Sequence, residues 1–232
     1  MIRFLLISLA AVTAKASDIS ESPQLHLSPR ITNGVVANIG HFPYMASFEV
    51  ADFASCGASI IRPDVVLTAA HCTAQNPAMI LKVRAGTIIS EAQQGRTMQW
   101  RWVLKYVNHP EHRQAAYGDK DIAVVWLKRP FDLNGFVNVI NLAYRDYNGE
   151  EAVILGWGKD ENFKDSQRLK RGTVKIITNK ECAEKSLPGY KITHNMVCTK
   201  STKAKQVICK NDSGVFLKIF TILYNVQKHK CT

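Results

Sequence analysis

After residue 16, the apolar residues of this chain come in short runs cut by turn formers, and that pattern limits the fold more than any other feature. Val65-Val66-Leu67, the run 122–127, the run 152–155 and the stretch 174–177 are rich in β-branched side chains and lie close to Gly, Pro, Asn or Asp. Such runs read as strands of an antiparallel barrel or sandwich. No window of 11–18 residues carries a convincing helical period. With 232 residues the chain can form one large domain or two small ones, each with a real core. Its 46% hydrophobic and 21% charged residues exclude a disordered or fibrous chain.

The first residues point to a compartment. Arg3 gives a positive start, residues 4–12 are apolar apart from Ser8, and Ala14-Lys15-Ala16 is a small-x-small cleavage site. The apolar run is too short to span a bilayer. Residues 1–16 are therefore expected to be a signal peptide, and the mature chain a secreted, extracellular one. Residues 17–30 are mostly polar, hold two prolines and end in Arg30, as a pro-segment would. The six cysteines (Cys56, Cys72, Cys182, Cys198, Cys209 and Cys231) fit an oxidising compartment, with 15 pairings open. No CxxC is present, so no metal site is expected.

The net charge of +11 raises nucleic acid or an anionic surface as a partner. The basic residues are scattered, however, and neither a basic helix nor an aromatic-basic groove is legible. No nucleic-acid or membrane partner is expected.

Three local motifs carry the chemistry. Thr68-Ala69-Ala70-His71-Cys72 puts a histidine at the end of an apolar strand, Asp121 opens the run 122–127, and Asn211-Asp212-Ser213-Gly214 holds a serine in a polar turn. Each alone is weak. Together they are what acyl transfer requires. A serine hydroxyl needs a base to take its proton, and that base needs a carboxylate to fix its tautomer and stabilise its charged form.

With these residues in place, the chain resembles the chymotrypsin/trypsin-like serine proteases from Ile31 to Gly214. Ile31-Thr32-Asn33-Gly34 is similar to the N-terminus that activation releases in that family. Phe42-Pro43-Tyr44, Cys56-Gly57-Ala58-Ser59, the histidine motif, Asp121-Ile122-Ala123-Val124 and Gly156-Trp157-Gly158 extend the resemblance over most of the mature chain. It implies an all-β fold of two antiparallel six-stranded barrels, the second truncated at its C-terminus, with the site in the cleft between them. The domains would be 1–16 signal peptide, 17–30 activation pro-segment, 31–214 peptidase domain and 215–232 an atypical tail. His71, Asp121 and Ser213 would be catalytic, and the N–H groups of Asn211 and Ser213 would form the oxyanion hole. Disulfides Cys56–Cys72 and Cys182–Cys198 are also implied.

The same resemblance implies a zymogen. A trypsin-like activating protease would cut after Arg30, and the freed amine of Ile31 would pair with Asp212. Partners would be protein or peptide substrates, that activator, and protein inhibitors, with no cofactor. Val207, six residues before Ser213, would floor the specificity pocket, and an apolar floor disfavours cleavage after Lys or Arg.

The departures lie near the nucleophile. Asn211 stands where the family has Gly, and Val215-Phe216 where it has Gly-Pro. No Ser-Trp-Gly follows Ser213. The tail is thus expected to leave the second barrel short of strands, with an exposed edge. The alternative to an endopeptidase is a catalytically inactive homologue acting as a binding or regulatory protein.

Overall fold

The computed structural model describes residues 31–32, 34–73, 76–89, 95–113, 115–116, 118–142, 144–157, 167–186, 189–202, 207–208, 216–219 and 222–225. For residues 31–32, 207–208, 216–219 and 222–225 it describes the backbone.

Strands β1 (Ile31–Thr32) and β2 (Val35–Val36) precede six longer ones: β3 (Met45–Val50), β4 (Phe53–Arg62), β5 (Val65–Thr68), β6 (Leu81–Ala85), β7 (Gln99–Asn108) and β8 (Ala123–Leu127). The short helix α1 (Ala70–Thr73) follows β5. Strands β3 to β8 close into a barrel in the order β3-β4-β5-β8-β7-β6, every pair antiparallel. The two-residue alternation of strand side chains fills its interior. Ala46 and Phe48 of β3, Ala58 and Ile60 of β4, Val66 of β5, and Leu81 and Val83 of β6 pack there with Val103 and Val125, all without solvent exposure.

The outer face of β3 is buried too, and it is polar. Glu49 sits opposite Lys82 and diagonal to Arg84 in the β3–β6 register. Arg84 Nε lies 2.8 Å from Glu49 Oε1, Lys82 Nζ lies 3.6 Å from Oε2, and Ser47 Oγ–H donates to Oε1 at 3.1 Å. A buried carboxylate is tolerated only when paired and hydrogen-bonded in this way. Gly86 ends β6 with φ +71, and a Cβ there would lie 2.1 Å from the Thr97 carbonyl oxygen. Only glycine fits this turn.

The second half contains β9 (Asn141–Leu142), β10 (Glu151–Gly156), β11 (Lys170–Ile177), helix α2 (Asn179–Lys185), β12 (Cys198–Ser201), β13 (Val207–Ile208), β14 (Phe216–Ile219) and β15 (Ile222–Asn225). These seven strands, with β1 and β2, form two sheets. One runs β12-β11-β10-β14-β15-β9, with β2 paired to the start of β11, and the other is the β1–β13 pair. Helix α2 is capped by Thr178, whose side chain accepts the Glu181 N–H at 3.1 Å.

The expected six-stranded barrel is therefore found in the first half. The second half is a seven-stranded sheet with no closure among the described residues. The backbone of the tail supplies β14, antiparallel to β10, and β15, parallel to β9. Residues 216–225 are rich in β-branched and aromatic types, which suit a pleated surface.

The halves share a core in which Tyr44, Met45 and Leu67 pack with Leu155 and Leu169. Trp157 Nε1–H donates across to the Ile88 carbonyl at 2.8 Å. An open groove on the flank of the barrel is lined by Trp100, Arg101, Trp102, Lys128, Arg129 and Asp132. The sequence concealed this aromatic-basic surface because its residues come from two separate segments, brought together by β7–β8 pairing. Among the described residues, no helix is long and apolar enough to cross a membrane.

Candidate active site

Strand β5 is buried along its whole length, and Thr68 Oγ1–H donates to the Gly57 carbonyl at 2.8 Å. The chain then passes through buried Ala69 into α1, which presents His71. Cys72 bonds to Cys56 of β4 beside it, so the histidine is held by its strand on one side and by a disulfide on the other. The second implied disulfide, Cys182–Cys198, ties α2 to β12.

Asp121 lies just before β8, which pairs with β5, so strand pairing carries the acid to the histidine. His71 Nδ1 lies 2.5 Å from Asp121 Oδ2, and the His71 backbone N–H donates to Oδ1 at 2.9 Å. The Asp121 side chain is 7% exposed and that of His71 is 28%. Burial pushes the Asp121 carboxyl up. The imidazole contact, the positive charge of His71 and the backbone donor outweigh it and hold the group below its usual range. An ionised Asp121 accepts the Nδ1–H of His71, the arrangement in which Nε2 can take another proton.

Nε2 lies 3.5 Å from Cys72 Sγ, and Cys56, His71 and Cys72 have ligand atoms within 4.8 Å of one another. Both sulfurs are spent in the disulfide, so this trio has no thiolate to offer a metal.

Two further groups enter that the sequence did not reveal. His112 Nε2 stands 3.2 Å from Asp121 Oδ1. Asp119, with no exposure, accepts at Oδ1 from the Thr193 hydroxyl and from Asn195 Nδ2–H at 3.1 Å, and so joins the loop before β8 to the segment after α2. Burial raises its carboxyl, but those two donors and the nearby His194 and His109 keep it below its usual range.

The remaining expected site residues fall elsewhere. Arg30, Asn211, Asp212 and Ser213 lie outside the described residues. Ile31 pairs with Ile208, and Thr32 with Val207, through the backbone.

A histidine and a buried aspartate just beyond the ends of two adjacent strands of a six-stranded barrel match a known pattern, and comparison with known proteins decides it. The trypsin family model matches residues 31–215, most of the chain. The chain belongs to the trypsin family. It is therefore grouped with serine endopeptidases. Trypsin alpha of Drosophila melanogaster is 29% identical over 218 residues, covering 92% of this chain and 82% of the fly protein. The vitellin-degrading protease of Bombyx mori is 30% identical over 189 residues, covering 80% of this chain and 70% of that protein. Human heparin binding protein has the same fold, with a TM-score of 0.73 at 21% identity over 87% of this chain and 86% of that one.

Proposed function

We propose that this chain is a secreted serine endopeptidase, made as a zymogen, that hydrolyses peptide bonds through an acyl-enzyme. The observation that carries the reading is the His71–Asp121 pair, with its 2.5 Å contact and its backbone clamp. Ser213 Oγ attacks the scissile carbonyl while His71 Nε2 takes its proton. Asp121 stabilises the resulting imidazolium. The N–H groups of Ser213 and Asn211 receive the oxyanion. As the tetrahedral intermediate collapses, His71 returns the proton to the leaving amine. Water then repeats the sequence on the ester and frees Ser213.

Activation follows from the chain start. Cutting after Arg30 frees the Ile31 amine, which pairs with Asp212. The β1–β13 pairing supports this, because it sets Ile31 opposite Ile208, four residues before Asp212. A charge pair drawn into the interior forms only when both charges exist, so the switch waits for cleavage. Residues 1–16 export the chain, and the two disulfides agree with an oxidising compartment. Val207 at the pocket floor favours apolar residues over Lys and Arg at the cleaved bond. Substrates are proteins or peptides; the activator is a trypsin-like protease, and protein inhibitors are candidate partners.

A second reading, an inactive homologue that binds or regulates, draws on Asn211 in place of the family glycine and on the altered sequence after Gly214. Labelling with a fluorophosphonate separates the two. The chain is cut after Arg30 and compared with Ser213→Ala. Labelling that vanishes in the variant is the expected result. No labelling of folded, cleaved protein selects the inactive homologue.

A further inference from the structure

The loop between β7 and β8 folds back on itself through three backbone contacts. His109 N–H donates to the Ile122 carbonyl at 2.9 Å, His112 N–H to the His109 carbonyl at 3.0 Å, and Arg113 N–H to the Asp119 carbonyl at 3.0 Å. Arg113 and Lys120 take left-handed backbone angles to make the turn, with φ of 65° and 51°. The result carries the ring of His112 onto the carboxylate of Asp121. Its Nε2 lies 3.2 Å from Oδ1, on a side chain 16% exposed, and makes no hydrogen bond of good angle, so the approach to Asp121 is a charge contact.

A ring nitrogen so close to a carboxylate has two options as a neutral imidazole. With a lone pair on Nε2, two acceptors face each other. With the proton on Nε2, the positive end of the ring dipole faces the negative charge. We propose that His112 is a positioning residue of the site: a neutral imidazole with its proton on Nε2, it braces Oδ1 of Asp121 and leaves Oδ2 to His71. The proposal rests on the reading of His71 and Asp121 as the catalytic pair.

The charges that face His112 fix its behaviour. Burial, Arg113 and His71 oppose its protonation, while Asp121 and Asp119 favour it, and the balance lies below the usual histidine range. Lys120 and Glu111, on the same loop, are ion-paired with each other. In acid, His112 becomes an imidazolium against the carboxylate that His71 also uses, and competes with His71 for it.

The test is the rate of Ser213-dependent fluorophosphonate labelling against pH, in the cleaved wild type, His112→Phe and His112→Gln. A glutamine amide can donate where Nε2–H does, and it does not titrate. Near pH 8 His112→Phe should label about tenfold more slowly, the scale of one contact to a charged group, and His112→Gln should stay within about twofold of wild type. The acid limb of the wild type should steepen at its lower end, where a second proton binds, while that of His112→Gln keeps a one-proton slope. Equal rates in all three proteins, or a wild-type limb of one-proton slope throughout, would overturn the proposal. Imidazole ¹⁵N shifts of the folded wild type give a readout free of catalysis: a proton on Nε2 of His112 is expected, and one on Nδ1 refutes the brace. If the wild type does not label at all, the catalytic reading fails by itself, and the ¹⁵N tautomer still decides whether the brace exists.

Discussion

The two halves of the molecule solve the problem of a β-sheet edge differently. The first half closes six strands into a barrel, and so has no edge to protect. Its interior is packed without exposure, and its outer polar groups are sealed in the Glu49–Arg84–Lys82 network. The second half is a sheet that ends on two short strands, β12 of four residues and β9 of two. The acid–base pair belongs entirely to the closed half: His71 follows β5, and Asp121 precedes β8. A proton-transfer pair needs fixed geometry, and a closed barrel supplies it without help from activation. The proposed nucleophile, Ser213, comes from the second half of the sequence, where the proposed activation would act. On that proposal the barrel holds the base and the second half sets when it is used.

The sharpest way to break this comparison is to disable the ready half chemically while leaving its fold alone. Asp121→Asn should lower the Ser213-dependent labelling rate about 10⁴-fold, because the amide no longer selects the tautomer that leaves Nε2 free. A loss smaller than tenfold would mean that the pair does not act as a unit. The next largest effect is on stability. Phe48→Ala removes a fully buried ring from the centre of the barrel and should cost about 3–5 kcal/mol in urea unfolding. Both halves should unfold in that one transition, because Tyr44, Met45 and Leu67 pack against Leu155 and Leu169. Two separate transitions would show that the halves are independent.

The disulfides allow a finer comparison, because each half has one and both span 16 residues in sequence. In the chain-entropy model, loops of this length are each worth about 3 kcal/mol. Replacing Cys56 and Cys72 by Ala, or Cys182 and Cys198 by Ala, should therefore lower stability to a similar extent. Activity should separate them. The first pair holds the helix that carries His71, so its loss should slow labelling about tenfold, the cost of a modest misplacement of the base. The second ties α2 to β12 and should leave the labelling rate of the folded protein within about twofold. Equal slowing by both replacements would remove the distinction between the halves.

Much of the first half was legible in the sequence because its signals are local. Val65-Val66-Leu67 and the run 122–127 are short β-branched segments beside turn residues, and both are strands. The histidine and aspartate motifs sit at the ends of those strands, so the residues that meet were visible even though 50 positions separate them. Strand β7 carries a different signal, Trp100 and Trp102 alternating with Gln99 and Arg101, which a reading of short β-branched runs passes over. Helix α2 carried one that was too short for a periodicity window: Thr178 and Glu181 hold the cap-and-N3 spacing. His112 and Asp119 could not be seen at all. Their roles depend on how the loop before β8 folds back, and nothing beside them in sequence marks a buried partner. The strand order of the second half was equally hidden, because the pairings of β10 with β14 and of β9 with β15 join segments far apart in sequence.

The smallest expected effect concerns the contact between the halves. Asp119 belongs to the loop before β8, while its donors Thr193 and Asn195 follow α2. Its carboxyl lies below the usual range when folded, so the folded state binds its proton less tightly than the unfolded chain does. The stability it gives is fully present above the unfolded value of about 4, and it is lost as pH falls through the lower folded value. Asp121 adds a contribution of the same sign over the same acid window. Asp119→Asn keeps an acceptor for one donor but loses the charge, and should cost about 1 kcal/mol at neutral pH. Unfolding by urea at a series of pH values should then show a shallower acid decline in the variant than in the wild type. Parallel curves would mean that Asp119 stays charged or neutral in both states, and that the link between the halves is carried by their shared core alone.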